Sequence, residues 1–220
     1  MQKPFELSIV IPLLNENESL VSLHQWIVKS IEKKTASYEV LFIDDGSTDD
    51  SWETIKQLAS KFPEVKGLRF QKNYGKSQAL HAGFKRVTKP FVATLDADLQ
   101  DSPEELLQMV NTLQKEDLDL ISGWKKKRYD SILFKNLPSK LFNWAARRVS
   151  GIQLHDFNCG IKVYRKEVLE HIDVHGEMHR YIPVLASQAG YHKIGEQAVQ
   201  HPARQFGHTQ FGADAFFKGF

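Results

Sequence analysis

Short, β-branched apolar runs alternate with stretches of helical period along the first 125 residues. ELSIVIPLL (Glu6 to Leu14) reads as a buried strand, and a helical pattern follows from about Ser19 to Lys33. YEVLFIDD (Tyr38 to Asp45) is a second strand, closed by DGSTDDS, where Ser47 or Asp49 is placed to cap a helix running to about Phe62. VKGLRF is a third strand and GKSQALHAGFKRV a third helix. PFVATLDAD predicts a fourth strand, and SPEELLQMVNTLQK a fourth helix with Ser102 as cap and Pro103 at its first position. LDLISG is a fifth strand. Such alternation through short connections predicts an α/β fold with a mostly parallel central sheet and helices on both faces. Ligands of such sheets bind beyond the carboxyl ends of the strands. Both acidic motifs of the chain lie there.

The pattern breaks after Gly123. From Trp124 to Gly151 eight basic residues stand against a single acid, Asp130, although the whole chain carries a formal charge of only +2. The remainder is therefore net acidic, and the asymmetry points to an anionic partner at the basic segment. Leu137, Leu141, Trp144, Ala145 and Val149 recur there at helical spacing, as in a helix that rests on a membrane surface or packs on a core with a solvated basic face. Five phenylalanines fall within the last fifteen residues (Phe206, Phe211, Phe216, Phe217, Phe220). The break divides one domain into a regular half, 1–124, and a less regular half, 125–220. A single cysteine, Cys159, excludes an internal disulfide framework and reads as a small buried apolar residue. Neither a signal peptide nor an apolar run of spanning length is visible.

Asp96 and Asp98 form a D-x-D pair. In an extended segment residues i and i+2 face the same way, so both carboxylates and Gln100 would reach one cation. Oxygen donors alone suit Mg²⁺ or Mn²⁺. The competing reading is a polar strand-to-helix turn. FIDDGSTDDS places Asp44 and Asp45 at the same position one unit earlier, as acceptors for the N–H groups of a nucleobase or as turn residues, and Pro12, Asn15 and Glu16 end the first strand. No G-x-G-x-x-G follows that strand, which excludes a dinucleotide-binding dehydrogenase. Gly75-Lys76-Ser77 is not a P-loop, because Phe70 stands where the first glycine is required. Lys76, at a helix start, is placed either to meet a phosphate or to lie in solvent. The histidines lack metal-ligand spacing, and no G-x-S-x-G elbow is present.

SIVIPLLNENESL, EVLFIDDGSTDDS, KNYGKSQALHAGF, VATLDADLQDSPE and ISGW, in this order, resemble the family 2 glycosyltransferases. The resemblance is strongest to the polyisoprenyl-phosphate sugar transferases, the dolichol-phosphate mannose synthase-like branch. DFNCGIKVYRKEVL, GEMHRYIPVLA and PARQFGHTQFG extend it over nearly the whole chain. The resemblance implies a GT-A fold and a metal-dependent hexosyltransferase that uses a nucleotide-diphosphate sugar, with a UDP-sugar favoured over GDP-mannose. Pro12, Asn15, Glu16, Asp44 or Asp45, Lys76, Asp96, Ala97 and Asp98 would hold the donor, and Asp96, Asp98 and Gln100 the metal. Lys125, Lys127, Arg128, Arg180 and Arg204 would meet acceptor or donor phosphates, with His179 beside them. Lys125 departs from the family's frequent arginine and offers a point charge instead of a bidentate fork.

The expected reaction is an inverting transfer of a hexosyl group to a polyisoprenyl phosphate. A phosphate monoester is mostly dianionic at neutral pH, so it needs no strong base. Asp98 and Lys125 are expected to act in catalysis, with Asp156 orienting the acceptor or serving as base if the acceptor is a hydroxyl. A transferase to a glycan hydroxyl and a degenerate binding scaffold are the alternatives. A peripheral place on the cytoplasmic face of a membrane is expected, homo-oligomers are compatible with the resemblance, and no nucleic-acid partner is. The branch commonly continues into C-terminal membrane helices, so a chain stopping at FFKGF reads as truncated.

Overall fold

The computed structural model describes residues 5–126, 147–148 and 150–200. Lys127, Arg128, Arg204, most of the basic amphipathic segment and the phenylalanine tail lie outside these residues. Seven strands form one sheet in the order β3-β2-β1-β4-β6-β5-β7. They are β1 (Glu6–Leu13), β2 (Ser37–Asp44), β3 (Val65–Arg69), β4 (Phe91–Thr94), β5 (Leu120–Trp124), β6 (Lys162–Arg165) and β7 (Ile194–Ala198). The helices are α1 (Asn17–Ile31), α2 (Ser51–Lys61), α3 (Lys76–Phe84), α4 (Glu104–Lys115), α5 (Lys166–Glu170) and α6 (Ile182–Gln188), with a 3₁₀ turn at Met178–Tyr181.

The continuous apolar runs of β1 and β2 are explained by burial on both faces. Leu7, Ile9 and Ile11 of β1, with Val40 and Phe42 of β2, pack under α1, α2 and α4. Val10, Leu41 and Ile43 point the other way, under α3, α5 and α6. This is the covered parallel sheet that the alternation of elements predicts. One strand departs from it. β6 runs antiparallel to both β4 and β5, because it enters from the long excursion after β5 and not from a helical crossover. It slots between two strands of the first half, so the 1–124 and 125–220 segments share one sheet.

Two boundaries also move. The fourth strand ends at Thr94, so Asp96 and Asp98 sit in a turn and not on an extended strand. α4 begins at Glu104 with Pro103 at its cap position, and the Ser102 hydroxyl donates to Glu104 Oε2 (2.5 Å) instead of capping the helix. Neither Ser47 nor Asp49 caps α2: Asp50 holds the cap position without a side-chain bond, and Asp49 Oδ1 accepts the Ser51 amide (3.0 Å) from one residue further out.

The end of the sheet away from the acidic motifs is tied by Glu39. Its buried carboxylate accepts from Ser8 Oγ (2.6 Å), Lys66 Nζ (2.6 Å), and the amide and hydroxyl of Thr88 (2.7 and 2.9 Å). Burial alone would raise its pKa, but the bonds from Lys66, Ser8 and Thr88 hold it below the ordinary glutamate value. A carboxylate depressed on folding stabilises fully above its unfolded pKa, near about 4.3, and loses that contribution as pH falls through the folded value. Glu39→Gln is expected to cost about 2–3 kcal/mol at pH 7, because buried donors lose their charged acceptor. Urea denaturation at a series of pH values should show the two proteins converging as the medium is acidified below pH of about 4.

Candidate active site

Strand order reverses at β1, which has β2 on one side and β4 on the other. The crevice beyond the carboxyl ends of these strands is where a parallel sheet offers room for a ligand. Three loops converge there. After β1, Asn15 adopts a left-handed backbone (φ 54°). Its Oδ1 accepts the Thr48 amide (2.8 Å) and its own amide donates to Ser47 Oγ (2.9 Å), while the Glu16 amide donates to Ser51 Oγ (3.0 Å). Asn15 thus braces the first loop against the second, and Pro12 is buried in β1 opposite Ile43.

Asp44 and Asp45, indistinguishable in sequence, have different partners. Asp45 accepts the amides of Tyr74 (2.7 Å) and Gly75 (2.8 Å), one on each oxygen, and so holds the loop before α3. Burial raises its pKa against the pull of those two amides. Asp44 spends Oδ1 on the Ser47 amide (2.8 Å), whereas its buried Oδ2 has no hydrogen-bond partner and only Arg69 Nε nearby at 3.4 Å. Gly46 (φ +79°) lets this turn pass against the backbone of Lys72 and Asn73.

The third loop carries the D-x-D pair. Leu99, a buried branched residue, sits at φ 61°, a left-handed geometry rare for such a side chain and a mark of functional loops. Asp96 is partly exposed and pairs with Lys76 Nζ (2.5 Å). Asp98 Oδ1 accepts the Gln100 amide (3.2 Å), and Ala97 is buried between the acids. Burial would raise Asp96, but Lys76 and then Lys125 bring its pKa down to about 2. Among the described residues no group of three or more His, Cys, Asp or Glu is arranged to enclose a metal ion. The oxygen donors of Asp96, Asp98 and Gln100 fit a hard divalent cation held by one or two carboxylates, its other positions left to waters and phosphate oxygens.

Lys125 is not a free cation at the rim. Its side chain is 10% exposed and pairs with Asp101, fully buried, at 2.7 Å. Burial pulls Lys125 down, yet Asp101 and Asp96 together keep its pKa above the usual lysine value. Asp156 is buried and accepts the Asn158 amide (3.0 Å). Ser77 Oγ accepts the His179 amide (3.0 Å) and lies 3.0 Å from His179 Nδ1, a hydrogen bond whose direction follows the ring's tautomer. Burial, with Lys76 and Arg180, lowers the His179 pKa to about 3, and the ring is neutral at physiological pH. Arg180 is next to it on the 3₁₀ turn, partly exposed. Cys159 is buried, and its thiol is pushed up to about 12 by that burial.

The sequence reading omitted three neighbours that the fold brings in. Asp101 lies within VATLDADLQDSPE, and Gly160 and Lys162 within DFNCGIKVYRKEVL, but none of the three is assigned a role by the motif that contains it. Lys162 is 4% exposed, one residue after Ile161. A Cβ built on Gly160 would lie 2.5 Å from Asp96 Oδ2 and 2.9 Å from Asp101 Oδ2. Its missing side chain is the space that these two carboxylates occupy.

The model of Glycosyl transferase family 2 matches residues 8–173. A dodecaprenyl-phosphate galacturonate synthase of Rhizobium johnstonii is 34% identical over 217 residues, covering 97% of this chain and 64% of the relative. An undecaprenyl-phosphate 4-deoxy-4-formamido-L-arabinose transferase of Sodalis glossinidius is 35% identical over 208 residues, covering 94% of this chain and 63% of that one. The chain therefore spans somewhat less than two thirds of the length of these curated relatives. Among solved structures, glucosyl-3-phosphoglycerate synthase from Mycobacterium tuberculosis, in complex with Mn²⁺ and UDP-glucose, superposes with a TM-score of 0.72 at 20% identity, over 97% of this chain and 74% of its own. That likeness carries the GT-A architecture and nothing finer.

Gly160→Ala should force the Asp96 and Asp101 carboxylates away from their lysines. The expected cost is about 1–3 kcal/mol, read as a lower urea midpoint with an unchanged m-value.

Proposed function

The chain belongs to glycosyl transferase family 2, and from that membership we propose that it transfers a hexosyl group from a nucleotide-diphosphate sugar to a polyisoprenyl phosphate with inversion. The observation that carries the reading is the set of carboxylates beyond β4, interleaved with Lys76 and Lys125 from two other elements. A site that alternates fixed cations and anions suits a substrate pair with phosphate on both partners.

Asp96, Asp98 and Gln100 would hold Mg²⁺ or Mn²⁺, and the ion would neutralise the departing diphosphate. Asp44, through Oδ2, is the acceptor offered to a base N–H, while Asp45 is occupied in shaping the loop. A UDP-sugar is favoured over GDP-mannose. Lys76 would exchange Asp96 for a donor phosphate, at the start of α3 where backbone amides also point. In the transfer an oxygen of the acceptor phosphate forms a bond to the anomeric carbon as the bond to the nucleoside diphosphate breaks. The acceptor is already ionised, so Asp156 orients it and need not remove a proton. Lys125, already paired with the buried Asp101, supports the carboxylates from beneath, and screening of the two anions from each other falls to Lys127, Arg128, Arg180 and Arg204. His179, neutral, lines the donor side without adding charge.

The relatives' names, a dodecaprenyl- and an undecaprenyl-phosphate enzyme, support the lipid acceptor. A place at the membrane surface follows from such an acceptor and from the basic segment after Gly123. Among the described residues no helix is long and apolar enough to cross a membrane.

Calorimetric titration of UDP and GDP, each with and without Mn²⁺, is expected to show metal-dependent binding of UDP that Asp98→Ala abolishes. Binding of neither nucleotide to folded protein would sink the donor assignment. With undecaprenyl phosphate as acceptor, Asp156→Asn is expected to lower turnover about tenfold to a hundredfold. A near-total loss would instead assign Asp156 as a base acting on a hydroxyl acceptor.

A further inference from the structure

The segment Asp156–Gly160 has no regular secondary structure, yet Asp156, Phe157 and Cys159 are buried. Buried peptide groups must find partners, and here side chains from the surrounding strands supply them. Glu196 of β7 accepts the amides of His155 (2.8 Å) and Asp156 (3.0 Å) on one oxygen. Its other oxygen lies 2.7 Å from the His155 ring, which stacks on Trp124 at 4.0 Å. Lys162 of β6 donates its buried ammonium to the carbonyls of Phe157 (3.3 Å) and Cys159. Thr94 Oγ1 of β4 donates to Gly160 O (2.7 Å), and the Gly123 amide of β5 donates to Ile161 O (3.0 Å).

The two charged members are the informative ones. Lys162 lies in the middle of the sheet, opposite Thr94 on one side and Ser122 on the other. A buried ammonium is expensive, and an apolar side chain of similar volume would fill the same space at lower cost. Its direct hydrogen-bond partners are carbonyls, and although burial lowers its pKa, the carboxylates of Asp156 and Asp96 act on it from nearby in the opposite sense. What the ammonium does provide is a fixed path for the loop, with Asp156 at its start and Gly160 flush against Asp96 and Asp101 at its end.

We propose that Lys162 and Glu196 are positioning residues: a cation on the carbonyls and an anion on the amides fasten the 155–160 loop. The fastened loop sets Asp156 at a fixed distance from the carboxylates beyond β4. The part this plays in transfer rests on the reading of Asp156 given above. The fastening itself does not.

Hydrogen–deuterium exchange on the full chain tests it, comparing amides 155–160 with those of β1 and β2, which report opening of the whole sheet. In Lys162→Met the loop amides are expected to exchange at least tenfold faster relative to the β1 and β2 amides. Glu196→Leu, a change in an edge strand, should do the same, and Glu196→Gln, which keeps an acceptor oxygen for both amides, should restore slow exchange. Equal acceleration of loop and sheet in both disruptive variants, or no acceleration in either, would overturn the proposal. The readout uses neither donor nor acceptor. Absence of transfer to undecaprenyl phosphate by the parent chain would count against the proposed function and leave the exchange result intact.

Discussion

Charge compensation at the carboxyl ends of the strands is the constraint on which the rest of this molecule depends. Asp44, Asp101 and Asp156 are buried, and Asp96 is only partly exposed. An isolated buried carboxylate costs several kcal/mol or gives up its charge. Here Lys76 answers Asp96 and Lys125 answers Asp101 at hydrogen-bond distance. The two lysines come from different parts of the chain, so both ion pairs form only when α3 and the end of β5 are docked in register. The charged site is thereby a product of the assembled sheet, not of any one loop.

The antiparallel strand β6 is the structural means of that assembly. It brings Gly160, Ile161 and Lys162 between the acids of the β4 turn and the lysine after β5. A parallel strand would need a covering crossover to reach the same position. The excursion between β5 and β6 is free of that requirement, and it is the part of the chain richest in basic residues. β4 and β5 of the first half flank β6, so strands from both sides of residue 124 are registered within one sheet.

Glu39 and the D-x-D turn show two uses of the same residue chemistry at opposite ends of the strands. Glu39 has four donors, one of them a lysine, all spent on holding β1, β2, β3 and the loop before β4 together. Asp96 and Asp98 are more exposed and are followed by a leucine in a left-handed conformation, a backbone geometry that must be held by its surroundings.

The alternation of strands and helices was legible because its cause is local. β-branched runs such as SIVI and VLFI cannot be helical faces of an amphipathic kind, and both of their sides find apolar cover. The acidic ends of β1, β2 and β4 were legible for the same reason, since a carboxylate directly after a buried strand has few structural excuses. Long-range pairing was not. Nothing in DD separates Asp44, with one oxygen left to the Arg69 ion pair alone, from Asp45, with two amides, because the difference lies in partners some thirty residues away. Lys125 looked like an open cation until Asp101 closed on it, and the motif that contains Gly160 and Lys162 assigns them no role. The amino-acid sequence by itself determined the alternating elements of the first half and their burial, which follow from neighbours along the chain. Which acid meets which lysine, and which glycine must be bare to let them meet, was decided only when the antiparallel strand entered the sheet.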